Sequence, residues 1–183
     1  MPSKFQILQA TKIIHNEGVI ACPTESVYGL SCDPLSEKAV GKVLQLKSRP
    51  PEKGLILIAS SLEQLMPFLD IGKEECKKIT EYIPPMTWLV KKSAYTPPWI
   101  HGRHSKLAIR VSLHPIIRQL CDHLAHPLVS TSANPANMAP ATSVLQARRY
   151  FKNAVDMYLN GETGALQRPT PISDLADNTL IRQ

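Results

Sequence analysis

Three stretches of the chain hold more polar functional groups than a simple connection needs. The first, Cys22–Asp33, reads CPTESVYGLSCD and places Thr24, Glu25, Ser26 and Tyr28 between the turn formers Pro23 and Gly29. It follows the small apolar run Gly18–Ala21, a buried strand by composition, and chemistry is commonly hung where such a strand ends. The same residues also permit a plain loop, with the hydroxyls bonded to backbone and Tyr28 in the core. The second stretch, Lys47-Ser48-Arg49-Pro50-Pro51, sets two cations at a helix end beside a proline-stiffened turn. An arginine fork and a mobile lysine charge suit a polyphosphate, although a solvated charge pair has the same composition. The third, Ser130-Thr131-Ser132-Ala133-Asn134, offers three hydroxyls and an amide directly after a short apolar strand. Such a run either surrounds a phosphate with donors or closes a hydroxyl-rich turn.

Two further groups stand on strands. Arg110 lies within Leu107–Val111, and burying it requires an anion, which is either a ligand or a structural carboxylate. Thr87 opens the run Thr87–Val90. Glu25 is a candidate ligand for Mg2+ or a loop-organising carboxylate. His101 and His104 fall in a basic loop and read as solvated, and Arg148-Arg149 reads as a helix face.

The elements that must position these groups alternate between helix and strand. Apolar spacing predicts a helix from Phe5 to Asn16, which Gly18 releases into the strand ending near Cys22. Ser36 is placed to cap a helix running through Val40, Val43, Leu44 and Leu46, which the prolines after Arg49 stop. Leu55–Ala59 reads as a strand covered on both faces, and Ser61 as the cap of a short helix through Leu65 and Met66. A further helix is predicted over Asp70–Ile83, then a strand from Thr87 and a long surface loop over Lys91–His104. After the strand Leu107–Val111, His114-Pro115 opens a helix, Pro127–Val129 forms a strand, and Thr142 or Ser143 starts a last helix. This order argues for an α/β layer arrangement in one domain.

At 183 residues the chain is long enough to bury about two-thirds of its unfolded surface without staples. Aromatics make up only 5%, which leaves little for stacking several exposed bases. The net charge of +6 favours an anionic partner such as a nucleotide, pyrophosphate or RNA, without choosing among them. Cys22, Cys32, Cys76 and Cys121 form no CxxC pair and the histidines no HExxH, so free thiols and no protein-held metal are expected. The opening MPSKFQILQATK lacks a signal-peptide core, and no run approaches the ~20 apolar residues of a membrane span, so a cytoplasmic protein with no membrane partner is expected. Neither GxxxxGK[ST] nor GxGxxG occurs, and no Ser-His-Asp or Cys-His set can be assigned by role.

The Cys22–Asp33 run resembles the PTxTxYGLxCD signature of the YrdC/Sua5/TsaC family of threonylcarbamoyl-AMP synthases, departing in Ser26, which keeps the hydroxyl. Lys47-Ser48-Arg49-Pro50 matches the family KxR, Ser130–Asn134 its SAN motif, Thr87 its PGPxT region and Arg110 its AxRxP-like strand. The likeness spans Gly18 to about Thr170. Departures are Lys53-Gly54-Leu55, Pro84 for glycine, Ser112 for proline, and Thr170 for serine in the RPS-like segment Arg168-Pro169-Thr170, which is expected to help close the cleft.

The resemblance implies one YrdC-like catalytic domain over residues 1–183, an α/β fold with a twisted, largely open mixed sheet flanked by helices. It further implies formation of threonylcarbamoyl-AMP and pyrophosphate from L-threonine, bicarbonate or CO2, and ATP with Mg2+, for N6-threonylcarbamoyladenosine at position 37 of tRNAs. On that expectation Lys47 and Arg49 hold phosphates. Ser130, Ser132 and Asn134 surround the nucleotide, and Thr24, Tyr28, Thr87 and Arg110 line the threonine or carbamate side. Lys47, Arg49 and Arg110 are the expected catalytic groups. Partners would include proteins of the tRNA-modification machinery and tRNA or double-stranded RNA. The alternative is an RNA-binding module without catalysis. A hydrogenase-maturation relative is disfavoured, because their zinc-finger and acylphosphatase-like domains are absent.

Overall fold

Short apolar runs separated by turn formers build one mixed nine-stranded sheet in the computed structural model, which describes residues 1–166 and 168–182. In chain order the elements are α1 (Lys4–His15), β1 (Ile20–Pro23), β2 (Tyr28–Ser31), α2 (Glu37–Lys47), β3 (Ile56–Ala59), α3 (Lys73–Glu81), β4 (Thr87–Lys91) and α4 (Pro98–His101). They continue with β5 (Lys106–Val111), α5 (Pro115–Leu124), β6 (Leu128–Ser132), α6 (Val144–Phe151), β7 (Met157–Tyr158), β8 (Ile172–Asp174) and β9 (Leu180–Arg182). The spatial order is β7-β1-β2-β6-β3-β5-β4-β8-β9. Pairs β1/β7, β3/β5 and β4/β8 are parallel and the others antiparallel, so the expected open mixed sheet with flanking helices is what forms.

Alternation along the strands divides the interior in two. On one face Leu30, Leu57, Trp88, Ile109 and Val129 join Val40 and Val43 of α2 and Phe151 of α6. On the other, Ile20, Cys22, Ile58 and Leu128 pack under Ile7 and Ile14 of α1 and Ile117 and Leu120 of α5. That second face is only partly roofed. One pleat beyond Ile58 and Leu128 the register sets Ile56, Ala108 and Ser130 side by side, and all three line an open cleft.

The helices start where their caps predict. Ser36 Oγ accepts the Ala39 N–H, Ser143 Oγ accepts the Gln146 N–H, and Ser3 forms a capping box with Gln6. The helix expected after Ser61 is instead a run of turns ending in a 3-10 turn at Met66–Phe68, where Pro67 removes a donor. The helix expected over Asp70–Ile83 is shorter, because Glu75 accepts the Gly72 N–H at 2.8 Å and fixes the start at Lys73. The loop Lys91–His104 contains the single turn α4.

The signature stretch is a hairpin, not a loop between strand and helix. Cys22 pairs with Gly29 and Pro23 with Tyr28, and Thr24 Oγ1 closes the tip by donating to Val27 O at 2.8 Å. All four cysteines are free thiols. Burial pushes the Cys22 and Cys121 thiols up to about 12, which keeps them protonated and unreactive at neutral pH.

Leu57 is fully buried at the sheet centre. Leu57→Ala is expected to cost about 2–5 kcal/mol of unfolding free energy, read as a lower urea midpoint at unchanged slope. A midpoint within error of the parent would contradict this packing.

Candidate functional site

The open part of the second face is a cleft of about 510 Å3 between the hairpin tip, the end of α2, β6 and the C-terminal strands. Thr24, Arg49, Arg110, Ser130 and Ser132 line it. Lys47, Thr87 and Asn134 stand behind the wall and hold residues that line it. Tyr28 lies in the larger core, its hydroxyl donating to Gly161 O at 2.6 Å and accepting from Gly161 N at 3.1 Å.

Lys47 ends α2 with its ammonium turned inward. Its Nζ donates to Ser132 O, to Asn134 O at 3.0 Å and to Asn134 Oδ1 at 3.1 Å, with Ser132 Oγ at 3.4 Å. Asn134 Oδ1 also accepts from Ser132 Oγ at 2.6 Å, and its Nδ2 donates to Met138 O at 2.7 Å. The helix end and the hydroxyl-rich segment are therefore one knot of hydrogen bonds around a positive charge. All of its acceptors are neutral. Burial, aided by the nearby Arg49 charge, lowers the Lys47 pKa to about 8.

Ser48 caps α2 in the left-handed region at φ 49° and turns the chain, so that Arg49 leaves in another direction. Arg49 Nε and Nη2 donate to Gly54 O at 3.1 and 2.9 Å, and Nη2 reaches Lys53 O at 3.2 Å. The departure at Lys53-Gly54 thus supplies the carbonyls that steady Arg49. Gly54 has φ 60°, and a Cβ there would lie 2.9 Å from His101 O. No side chain other than hydrogen fits that turn.

Arg110 is 6% exposed and meets the anion that its burial demands in Glu25. Nη1 donates to Glu25 Oε2 at 3.0 Å, while Nε and Nη2 both donate to Thr87 Oγ1 at 3.0 and 2.9 Å. Desolvation lowers the Arg110 pKa against the opposing pull of Glu25, and the guanidinium remains charged. Of the two readings of Glu25, the structure shows the loop-organising carboxylate. Ser112, which departs from the family proline, donates to its Oε1. Among the described residues no group of three or more His, Cys, Asp or Glu could hold a metal ion. Asp174 of β8 is paired with Lys106, which lines the cleft.

Several cleft residues carried no usable signal in the sequence. His101, His104 and Lys106 come from or follow the basic loop and line the cleft with Arg49 and Lys53; His104 is exposed, as expected, and His101 and Lys106 are half-buried. Arg182 of β9 also lines it, donating to Thr170 O at 2.7 Å. Pro169 lines the cleft and Thr170 is buried beside it. Pro84, by contrast, borders a separate groove with Tyr82, Ile83 and Trp88, and does not shape the cleft floor.

The family model described as "Telomere recombination", for Sua5, YciO and YrdC proteins, matches residues 12–183. The chain belongs to the Sua5/YciO/YrdC family. It is 42% identical over 183 residues to the threonylcarbamoyl-AMP synthase of Hahella chejuensis, covering 99% of this chain and 100% of that one. It is 44% identical over 184 residues to the synthase of Pseudomonas entomophila, covering 100% and 99%. The crystal structure of P. abyssi Sua5 complexed with L-threonine superposes with a TM-score of 0.89 at 27% identity. That match covers 97% of this chain and 53% of the P. abyssi protein, so the chain spans about half the length of that member. No helix of the described residues is long and apolar enough to cross a membrane.

The lowered Lys47 pKa has a definite sign. Below pH 8 the ammonium is charged in both the folded and the unfolded chain, and its burial cost is fully present. Between about 8 and the usual 10.5 the unfolded chain holds more protons, so this residue's contribution makes stability rise with pH. Denaturation from pH 7.5 to 10 should therefore show the parent gaining on Lys47→Met. A constant difference would contradict the buried, unpaired charge.

Proposed function

We propose that the chain is a threonylcarbamoyl-AMP synthase that seats ATP and L-threonine together in this cleft. One observation carries the reading: Ser132 of the Lys47–Ser132–Asn134 knot and Arg110 of the Arg110–Glu25 pair line the same hollow. In this assignment the triphosphate lies against Arg49, under the field of Lys47 and near Ser130 and Ser132. L-threonine lies toward Thr24 and Arg110, its carboxylate on the guanidinium. Thr87 and Tyr28 act behind the wall, Thr87 by holding Arg110 and Tyr28 by holding the Gly161 turn. With Glu25 and Asp174 engaged by cations, Mg2+ accompanying the nucleotide would be held by its phosphates and would supply further positive charge there.

The chemistry asks mainly for positioning and positive charge. The neutral amine of threonine forms an N–C bond to CO2 and gives up a proton, which yields a carbamate. A carbamate oxygen then bonds to the α-phosphorus while the bond to the β-phosphoryl oxygen breaks and its electron pair leaves with pyrophosphate. Negative charge builds on the phosphate oxygens during this step, where Arg49 and Lys47 stabilise it. The acyl adenylate serves modification of adenosine 37 in tRNA, handed on to proteins of that machinery.

Purified protein mixed with ATP, L-threonine and bicarbonate is expected to yield threonylcarbamoyl-AMP by mass detection, with pyrophosphate release that saturates in threonine. Lys47→Ala or Arg49→Ala should cost about 2 kcal/mol or more of transition-state stabilisation, roughly 30-fold in kcat/KM. Salt-sensitive RNA retention with no adenylate product would favour the binding-module reading instead.

A further inference from the structure

Glu25 does not line the cleft, yet it stands next to two residues that do, Thr24 and Ser26. It is 5% exposed and both carboxylate oxygens are engaged, Oε2 by Arg110 Nη1 at 3.0 Å and Oε1 by the Ser112 hydroxyl. Ser112 Oγ in turn accepts the His114 N–H at 3.1 Å, so the carboxylate is braced against the start of α5. The segment after Gly161 seals it from above. Gly164 N donates to Thr24 O at 2.9 Å and Leu166 N to Glu25 O at 3.2 Å. A Cβ on Gly164 would lie 2.6 Å from Glu25 O, so only glycine permits that seal.

The consequence lies in which donors of Arg110 remain. A guanidinium has five N–H groups, and three are taken, two by Thr87 and one by Glu25. One N–H on each terminal nitrogen is left, and Arg110 lines the cleft, so both nitrogens can still donate to a carboxylate there. The buried pair with Glu25 is neutral overall. Recognition at Arg110 therefore depends on the direction of those two N–H groups more than on net charge, and direction is what Glu25 and Ser112 control.

We infer that Glu25, braced by Ser112, is a positioning residue that aims Arg110 at the carboxylate of the amino-acid substrate. This rests on the placement of Arg110 beside the amino acid proposed above. Ser112 and Glu25 then form one device, and the serine that departs from the family proline is its second half.

Steady-state kinetics of the full chain with L-threonine and ATP varied separately test the assignment, with Arg110→Ala as the reference. Glu25→Ala is expected to raise the threonine KM by about tenfold or more while the ATP KM stays within about twofold. Glu25→Gln keeps an acceptor for Arg110 and a donor for Ser112, so it should recover most of that loss, and Ser112→Ala should fall between. A merely structural role would move both KM values together and would not be rescued by glutamine. If Arg110→Ala raises the threonine KM and Glu25→Ala does not, the positioning role is overturned while the placement of Arg110 stands. If Arg110→Ala itself leaves the threonine KM unchanged, the placement fails and the inference fails with it. Should Glu25→Ala not fold, Ser112→Ala decides: a rise confined to threonine supports the role, and no rise or an equal rise for ATP overturns it.

Discussion

One face of the sheet is longer than the two helices that cover it. Where α1 and α5 lie, the alternating positions are Ile20, Cys22, Ile58 and Leu128. One pleat further along β3 and β6 they become Ile56 and Ser130, flanked by Ala108 of β5, while Arg110 stands beside Ile58 at the margin of the roof and Thr24 lies just beyond the end of β1. β6 and the end of β1 therefore change character partway along, from Leu128 and Cys22 under the roof to Ser130 and Thr24 at the cleft, while β3 keeps an isoleucine at both positions. The cleft is what remains of a sheet face whose covering stops.

Two cations at or behind that opening, Lys47 and Arg110, are buried, and the fold satisfies them by different means. Arg110 is given a carboxylate, and burying the pair costs less than burying either charge alone. Lys47 is given only carbonyl, amide and hydroxyl oxygens, which meet its hydrogen bonds but leave its charge uncompensated. An incoming anion would find the field of Lys47 unspent and the fork of Arg110 already oriented. An excess of charge, as at Lys47, suits a polyphosphate, and a fixed set of donors, as at Arg110, suits a small carboxylate, which is the basis of the proposed assignment.

The sequence shows the fold at the level of strong elements. Ser36 and Ser143 cap where expected, and the apolar runs at Leu55–Ala59 and Leu107–Val111 became central strands, because cap chemistry and continuous burial are local signals. The hairpin strand Tyr28–Ser31 escaped notice because Pro23 ahead of it and Gly29 within it both read as turn formers. Strands β7, β8 and β9 have only two or three residues each, too few to show a period, and they form by pairing with partners distant in the chain. Arg182 was invisible for that reason, and composition, which says nothing about which way a loop folds, left His101 and His104 as solvated: His104 is exposed, but His101 is half-buried and both border the cleft. The motifs drew attention to Lys47, Arg49, Ser130 and Ser132, but not to which of them line the cleft and which stand behind its wall. The even balance between a ligand and a structural carboxylate for Arg110 was decided by Glu25, 85 residues away.

The central claim is that a nucleotide and an amino acid share this hollow, one at each end. A crystal structure of the protein with a non-hydrolysable ATP analogue and L-threonine addresses it directly. The account expects the phosphates against Arg49 and Ser132, and the threonine carboxylate bridged by the two outer N–H groups of Arg110. A ligand seated in the groove beside Pro84 and Trp88, or threonine held away from Arg110, would contradict it.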